Sequence, residues 1–439
     1  MPAGPFATGS GRLPEYVAVR TDSSGRSISL ADYPPQRWAV LLTGAQGMGK
    51  SVELTRAELA ARQAGAIVVR VDASPREALE DRFARAVTQD LGSLRKQHGF
   101  RAVRKLNKLL KTLSTGSKLS HSGGDVRVGM PPLTMSVNHG VEDTAGAPTG
   151  QLTQLADALN ELGQKKRRAV VLMVDNIDVA SDRDLSALNE LSAHLERTGQ
   201  PAHLVTAGGQ KAVGRLLAAS QKTTGVESAI AQLYDIRECR PLGDDEALAA
   251  MRSPLAKLRI PAEAAAVTEL VDAANGSPQR LQALAATATA MAASQPLGLD
   301  SRVAKAAVEQ LTSQSRPLYE ALWNNSSDGE KDLLARTAVR GTRGLAMSSV
   351  TQQAGPEHWA AVDSSRQSLK SRGILRQGEE SGRLRFADPG MLRWVQTHVG
   401  QSAAHLGVAM PTVTLGAGSN GARPAAARRT AGPGQAVTR

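Results

Sequence analysis

The chain has 439 residues, too many for one small core, and at 41% hydrophobic and 21% charged its composition is that of a globular protein of two or three domains. Its one cysteine, Cys239, excludes an intramolecular disulfide and points to a reducing, cytoplasmic compartment, and no apolar run is long enough to span or enter a membrane. The net charge of +12 is confined to two acid-free places: the stretch from Leu91 to Gly124, with Arg95, Lys96, Arg101, Arg104, Lys105, Lys108, Lys111 and Lys118, and the tail from Gln401 to Arg439, with four arginines. So placed, it reads as appended partner contacts on an otherwise neutral fold.

Residues 1–35 are rich in Gly, Ser and Pro and are expected to be flexible. An apolar run, Trp38 to Thr43, then leads as a strand into Gly44-Ala45-Gln46-Gly47-Met48-Gly49-Lys50-Ser51, and a helix-like stretch, Val52 to Gln63, follows. The octapeptide fits G-x-x-x-x-G-K-[ST] at every fixed position, in the strand-loop-helix setting that this motif requires. Its glycines let the backbone approach a phosphate chain, so that the loop through Ala45, Gln46, Met48 and Val52 forms an anion nest at a helix N-terminus. Lys50 is expected on the β- and γ-phosphates and Ser51 on Mg²⁺.

Ala66 to Val71 reads as a second strand, and Ser74-Pro75-Arg76-Glu77 as a capping box that starts a helix running from Pro75 to about Leu91. Leu94 to Leu113 then patterns as a basic amphipathic helix, and Gly116 to Gly146 as a hairpin-like insertion with alternating runs at Asp125–Val128 and Leu133–Val137. Strand-helix alternation resumes with Leu152 to Leu162, the buried strand Ala169 to Val174 closing on Asp175, a helix capped by Ser181, a strand Ala202 to Thr206 and a fifth strand Leu233 to Ile236. This is the pattern of a parallel sheet, in a first domain spanning 36–241 with the basic helix and insertion at 91–148. Residues 242–315 pattern as four helices, at Asp244–Leu255, Ala262–Ala274, Pro278–Ala293 and Ser301–Leu311. Residues 316–400 give helix, helix, helix and a two-stranded hairpin, the order of a winged helix. The basic tail, 401–439, is expected to be disordered.

Asp175, ending an apolar strand, is placed to hold Mg²⁺ opposite Ser51. Asn176 beside it can orient water but cannot take its proton, and Asp178 is the nearest carboxylate that would substitute; an Asp at a strand end also serves simply as a helix cap. Thr206 is expected either near the γ-phosphate or as an ordinary strand residue. Arg280, in Gly276-Ser277-Pro278-Gln279-Arg280, either reaches the phosphates or is an exposed helical arginine. Arg215, Arg237 and Arg240 are the candidates for a trans-acting arginine finger. Cys239 has little support as a catalytic thiol.

The phosphate loop, the strand ending in Asp175-Asn176-Ile177-Asp178, the strand Leu204-Val205-Thr206-Ala207, the Gly276-Ser277-Pro278 helical unit and the C-terminal winged-helix pattern together resemble AAA+ ATPases of the origin-recognition and STAND type, over about residues 36 to 398. The resemblance implies an α/β P-loop NTPase core with strand order 5-1-4-3-2, a helical lid that closes on ATP, and a sensor role for Arg280 or its neighbour. The chain departs from the pattern at Asn176, where the family usually has Glu, which puts turnover in doubt. It also lacks a clear N-terminal adenine-side motif.

The expectation is therefore an ATP- and Mg²⁺-dependent switch, associated with double-stranded DNA through the winged helix and the Arg95–Lys118 segment, with a homo-oligomer as a further expectation. The alternative is a STAND-like signalling scaffold whose winged helix contacts protein. A small-molecule kinase is disfavoured, because neither C-terminal unit resembles an acceptor site.

Overall fold

The computed structural model describes residues 6, 11–18, 20–22, 25–30, 35, 37–100, 103–111, 150–224, 232–293, 295, 298–354, 358–377 and 382–402. The expected insertion between Gly116 and Gly146, with Lys118 ahead of its two runs, lies outside the described residues, as do Arg101 and the tail from residue 403.

Five strands, β1 (Ala39–Thr43), β2 (Ile67–Asp72), β3 (Val170–Asp175), β4 (Ala202–Ala207) and β5 (Asp235–Glu238), form one sheet in the order β2-β3-β4-β1-β5. All pairings are parallel, and the order is the expected one. Parallel neighbours need long crossovers, and here helices cover both faces, which is why β1, β3 and β4 are buried along their whole length. Alternation along β1 assigns the faces. Val40 and Leu42 pack with α1 (Lys50–Gln63), while Ala39 and Leu41 pack with α2 (Leu79–His98), α3 (103–111), α4 (Gly150–Gln164), α5 (Asp182–Thr198) and α6 (Ala212–Thr224).

The structure corrects several local expectations. The helix expected from Pro75 begins at Leu79: Ser74 Oγ accepts from the Arg76 N–H in a short turn, and the Leu79 N–H is capped by Asp184 Oδ1 at 3.0 Å, from 105 residues away. The fifth strand lies two residues later than expected. The basic helix is broken at Gly99, whose φ is 83°, and beyond it Val103, Leu106 and Leu110 of α3 are buried in the sheet's core while Arg104, Lys105 and Lys108 are exposed.

Residues 1–35 were expected to be flexible, yet several of the described ones are buried, while others, Arg12, Leu13 and Glu15 among them, are exposed. Phe6 and Ala18 are buried in the core of the helical unit, Ile28 and Leu30 under the sheet, and Thr21 and Ser27 form an antiparallel bridge closed by Asp22 and Arg26. These apolar residues show no helical or strand period, and their partners lie far away in sequence, so nothing local announces the packing.

The helical unit consists of α7 (Asp244–Leu258), α8 (Ala264–Ala274), α9 (Pro278–Ala292) and the first half of α10 (Ser301–Asn324). The last helix was expected to stop at Leu311, before a domain boundary; instead it runs unbroken for 24 residues through Pro317. Val303, Ala304, Ala307 and Val308 pack into the helical unit, whereas Tyr319, Leu322 and Trp323 pack into the C-terminal core. Burial against two cores offsets the one backbone hydrogen bond that Pro317 cannot donate. The C-terminal unit adds α11 (Asp328–Val339), α12 (Met347–Ala354), α13 (Trp359–Ser371), an antiparallel hairpin of β6 (Leu375–Gln377) and β7 (Leu384–Phe386), and α14 (Pro389–Ser402). Among the described residues, no helix is long and apolar enough to cross a membrane.

Candidate functional site

The loop Gly44–Ser51 leaves the buried end of β1 and turns into α1. Gly44 has φ 138°, and a Cβ there would sit 2.5 Å from the Cys239 carbonyl oxygen, so the close passage of this turn against the end of β5 admits glycine alone. Met48, 3% exposed, anchors the loop by burying its side chain among the residues under the sheet. Gly49, in the left-handed region at φ 84°, begins α1 and accepts the Val52 and Glu53 N–H groups at 3.1 Å. Lys50 Nζ is folded onto the loop itself, donating to the Gly44 and Ala45 carbonyls at 2.8 Å each. Burial pulls its pKa down; nearby Cys239, Asp178 and Asp175 act in the opposite direction. Burial also pushes the Cys239 thiol up to about 11, which keeps it protonated and unreactive.

The N-terminal segment braces this loop, which sequence reasoning missed. Arg20, buried to 6% exposure, donates through Nη1 to the Met48 carbonyl at 2.9 Å and to the Arg240 carbonyl at 3.2 Å. Gly11 accepts from Thr55 Oγ1 of α1 at 2.8 Å. Between these anchors the segment walls a cleft of about 320 Å³, at the small end of ligand pockets. Its lining combines apolar side chains, Tyr16, Val17, Leu242, Ala250 and Leu281, with Gln46, Gly47, Lys50, Ser51 and Val52 of the phosphate loop and with Asn176. The helical unit closes the cleft: the Gln279 N–H, in the first turn of α9, donates to the Gly47 carbonyl at 3.3 Å.

Asp175 ends β3 on the same edge of the sheet. Its Oδ1 accepts from the Asn176 N–H at 2.9 Å and its Oδ2 from Arg70 Nη2 of β2 at 3.2 Å. Asn176 is left-handed, φ 58° and ψ 39°, a conformation that Asn tolerates more readily than Glu. Its side chain is exposed in the cleft. Asp178 instead accepts from the Gly209 N–H beyond β4. Thr206 is fully buried and donates to the Val40 carbonyl at 3.2 Å, within the sheet. Arg280 is not brought to the loop: its guanidinium pairs with Asp388 ahead of α14, and its Nε donates to the Ala273 carbonyl at 3.0 Å. Of the candidate fingers, Arg215 holds the Asp178 and Ala180 carbonyls, Arg237 the Ser27 and Ser29 carbonyls, and Arg240 the Thr21 carbonyl, all within the chain.

Among the described residues no group of three or more His, Cys, Asp or Glu is placed to hold a metal ion by itself. Two hard oxygen donors, the Ser51 hydroxyl and the Asp175 carboxylate, are what the site offers. That fits Mg²⁺, which keeps its waters and is bound by one or two protein oxygens together with phosphates, and not a metal caged by protein alone.

Residues 33–206 match the family model described as AAA ATPase domain. No curated protein matches the chain. Similar solved structures include the Walker-type ATPase PABY2304 of Pyrococcus abyssi, 14% identical over 82% of this chain and 91% of that one with a TM-score of 0.49. The ORC2 protein of Aeropyrum pernix, solved as ADPNP-ADP complexes, is 15% identical over 84% and 89% with a TM-score of 0.46. The RuvB Holliday junction branch migration motor of Thermotoga maritima is 13% identical over 82% and 87% with a TM-score of 0.37. The matched segment holds the phosphate loop, Asp175 and four of the five strands of the parallel sheet, so this part of the chain is similar to an AAA ATPase domain and the chain has an α/β P-loop NTPase fold.

Proposed function

We propose that the cleft binds ATP with Mg²⁺ and that the chain is a nucleotide-driven switch whose output is contact with double-stranded DNA through the C-terminal unit. The observation that carries the switch is the first turn of α9, where Gln279 touches Gly47 of the phosphate loop and the next residue, Arg280, is paired with Asp388 of the C-terminal unit. One helical turn thus meets both the nucleotide loop and the output unit. Lys50 would leave the Gly44 and Ala45 carbonyls for the phosphates, Ser51 and Asp175 would hold Mg²⁺, and the apolar part of the lining, Tyr16 and Leu281 among it, would receive the base. Mg²⁺, when bound, neutralises phosphate charge. Asn176 orients water without accepting its proton, so slow turnover is expected.

The order of α11 to α13 and the hairpin supports a winged-helix reading of the C-terminal unit. Arg366 and Arg372 of that unit are paired with Asp363 and Glu330, while Arg340, Arg343 and Arg383 share the rim of one cavity beside the hairpin. A phosphate backbone is best met by that second group.

Two measurements test the reading. Lys50→Ala is expected to weaken ATP binding about a hundredfold, the equivalent of roughly 3 kcal/mol for lost charge-assisted bonds, in a calorimetric titration. Unchanged affinity would sink the site. Duplex DNA binding, followed by anisotropy over a salt series with and without ATP-Mg²⁺, tests the output: salt-sensitive, nucleotide-dependent binding supports it, and none in any state moves the output to a protein partner.

A further inference from the structure

Arg70 is an unusual neighbour for a carboxylate expected to receive a metal. It projects from the middle of β2, one strand over from Asp175, and its guanidinium makes three side-chain bonds: Nη2 to Asp175 Oδ2 at 3.2 Å, and Nη1 to Thr55 Oγ1 at 2.9 Å and to Glu58 Oε2 at 3.3 Å. Thr55 and Glu58 stand on α1, the helix that the phosphate loop opens. Asp175 is 4% exposed, and since Oδ1 already takes the Asn176 N–H, both its oxygens have donors inside the chain. Ser51 lies close by: a Cβ on Gly11 would be 3.7 Å from Ser51 Cβ and 3.8 Å from Arg70 Nη2. The arginine cation therefore sits directly against one expected metal donor, Asp175, and borders the same small space beside Gly11 as the residue that carries the other, Ser51.

We propose that Arg70 is a resident counter-cation for Asp175, which closes the metal side of the site to a free divalent ion and gives way only when nucleotide phosphates arrive with the metal. This rests on the nucleotide reading of the cleft. The physical reason is competition for one carboxylate. A buried Asp needs a partner in the empty protein, and Arg70 supplies it from the sheet. A divalent ion without phosphates would have to displace a guanidinium that is also held by Thr55 and Glu58, with one carboxylate and one hydroxyl as its reward. With nucleotide present, the phosphates add both ligands for the metal and negative charge for the released arginine. Arg70 is thus a positioning residue that makes metal binding depend on nucleotide.

The test uses the full chain and Mn²⁺ as a paramagnetic stand-in for Mg²⁺, with free Mn²⁺ read by electron paramagnetic resonance. Without nucleotide, the wild-type protein is expected to leave Mn²⁺ free, whereas Arg70→Gln is expected to bind about one equivalent at least about tenfold more tightly, the size of effect that removing one adjacent charge has on a carboxylate. The double variant R70Q/D175N should lose that gain. Mn²⁺ uptake by the nucleotide-free wild-type protein that Asp175→Asn abolishes would overturn the proposal, and this arm stands even if Arg70→Gln does not fold. Equal Mn²⁺ affinity in a folded Arg70→Gln protein would overturn it too. A parallel ATP titration separates the two readings: absence of ATP binding by the wild-type protein refutes the nucleotide site, while the nucleotide-free Mn²⁺ comparison judges Arg70 alone.

Discussion

The ion pair between Arg280 and Asp388 joins the helical unit to the C-terminal unit, and a double-mutant cycle of Arg280→Ala and Asp388→Ala measures how firmly. Arg280's side chain is 9% exposed and that of Asp388 41%. Two unit charges about 4 Å apart interact by roughly 4 kcal/mol at an effective dielectric of about 20. Water reaching Asp388 screens about half of this, so the expected coupling is about 2 kcal/mol. The single variants should be unequal. Without Arg280, Asp388 keeps the Tyr319 hydroxyl at 2.6 Å, the Gly390 N–H at 2.7 Å and its access to water. Without Asp388, the buried guanidinium keeps the Ala273 carbonyl as its hydrogen-bond acceptor among the described residues, so Asp388→Ala should be the more destabilising. Urea unfolding followed by tryptophan fluorescence is the assay, because Trp323 and Trp394 pack edge to face at 6.1 Å in the C-terminal core. A coupling below about 0.5 kcal/mol, the level at which distant sites already add, would refute the claim that this pair fastens the two units.

Gly44→Ala should destabilise the protein by about 3 kcal/mol or more and abolish ATP binding, since the new Cβ would lie 2.5 Å from the Cys239 carbonyl oxygen at a positive φ; a variant that melts with the wild type would show that the loop does not pass β5 as described. His203, stacked on Trp38 at 5.5 Å, has its pKa lowered below 6.5 by burial, with the Arg37 carbonyl acting in the opposite direction. The unfolded chain therefore takes up this proton first, so the stability that the neutral ring contributes is present above about pH 6.5 and is lost as pH falls toward the lower folded value. In urea unfolding at pH 7 and pH 5.5, the difference between wild type and His203→Phe should move in favour of the variant at the lower pH, and a pH-independent difference would exclude the assignment.

What was legible in the sequence was local. Apolar runs of strand length, each followed by a helical period, gave a parallel α/β sheet, because a strand covered on both faces must be apolar throughout. The glycine spacing in Gly44–Ser51 marked the loop because only that residue follows such a backbone. The run Ser327-Asp328-Gly329-Glu330 has the spacing of a capping box, and in the structure it starts α11 with both capping bonds.

The misses share a cause: the deciding partner was distant. Pro75 looked like a helix start until Asp184 capped Leu79 from another helix, and the helix from Ser301 was expected to stop at Leu311, whereas two cores grip α10 along its length. Arg280 was placed by its neighbours in the motif, but in the fold its guanidinium is held by Asp388, 108 residues away.

By itself, then, the sequence determined the phosphate loop, the order of strands and helices, and the place of Asp175 at the end of a buried strand, because backbone conformation and apolar periodicity act over a few residues. Only the tertiary structure decided that the N-terminal segment walls the cleft, that one turn of α9 touches both loop and C-terminal unit, and that Arg70 stands against Asp175. Charges and walls of that kind are set by which side chains three-dimensional packing brings within a few ångströms, and no spacing along the chain records it.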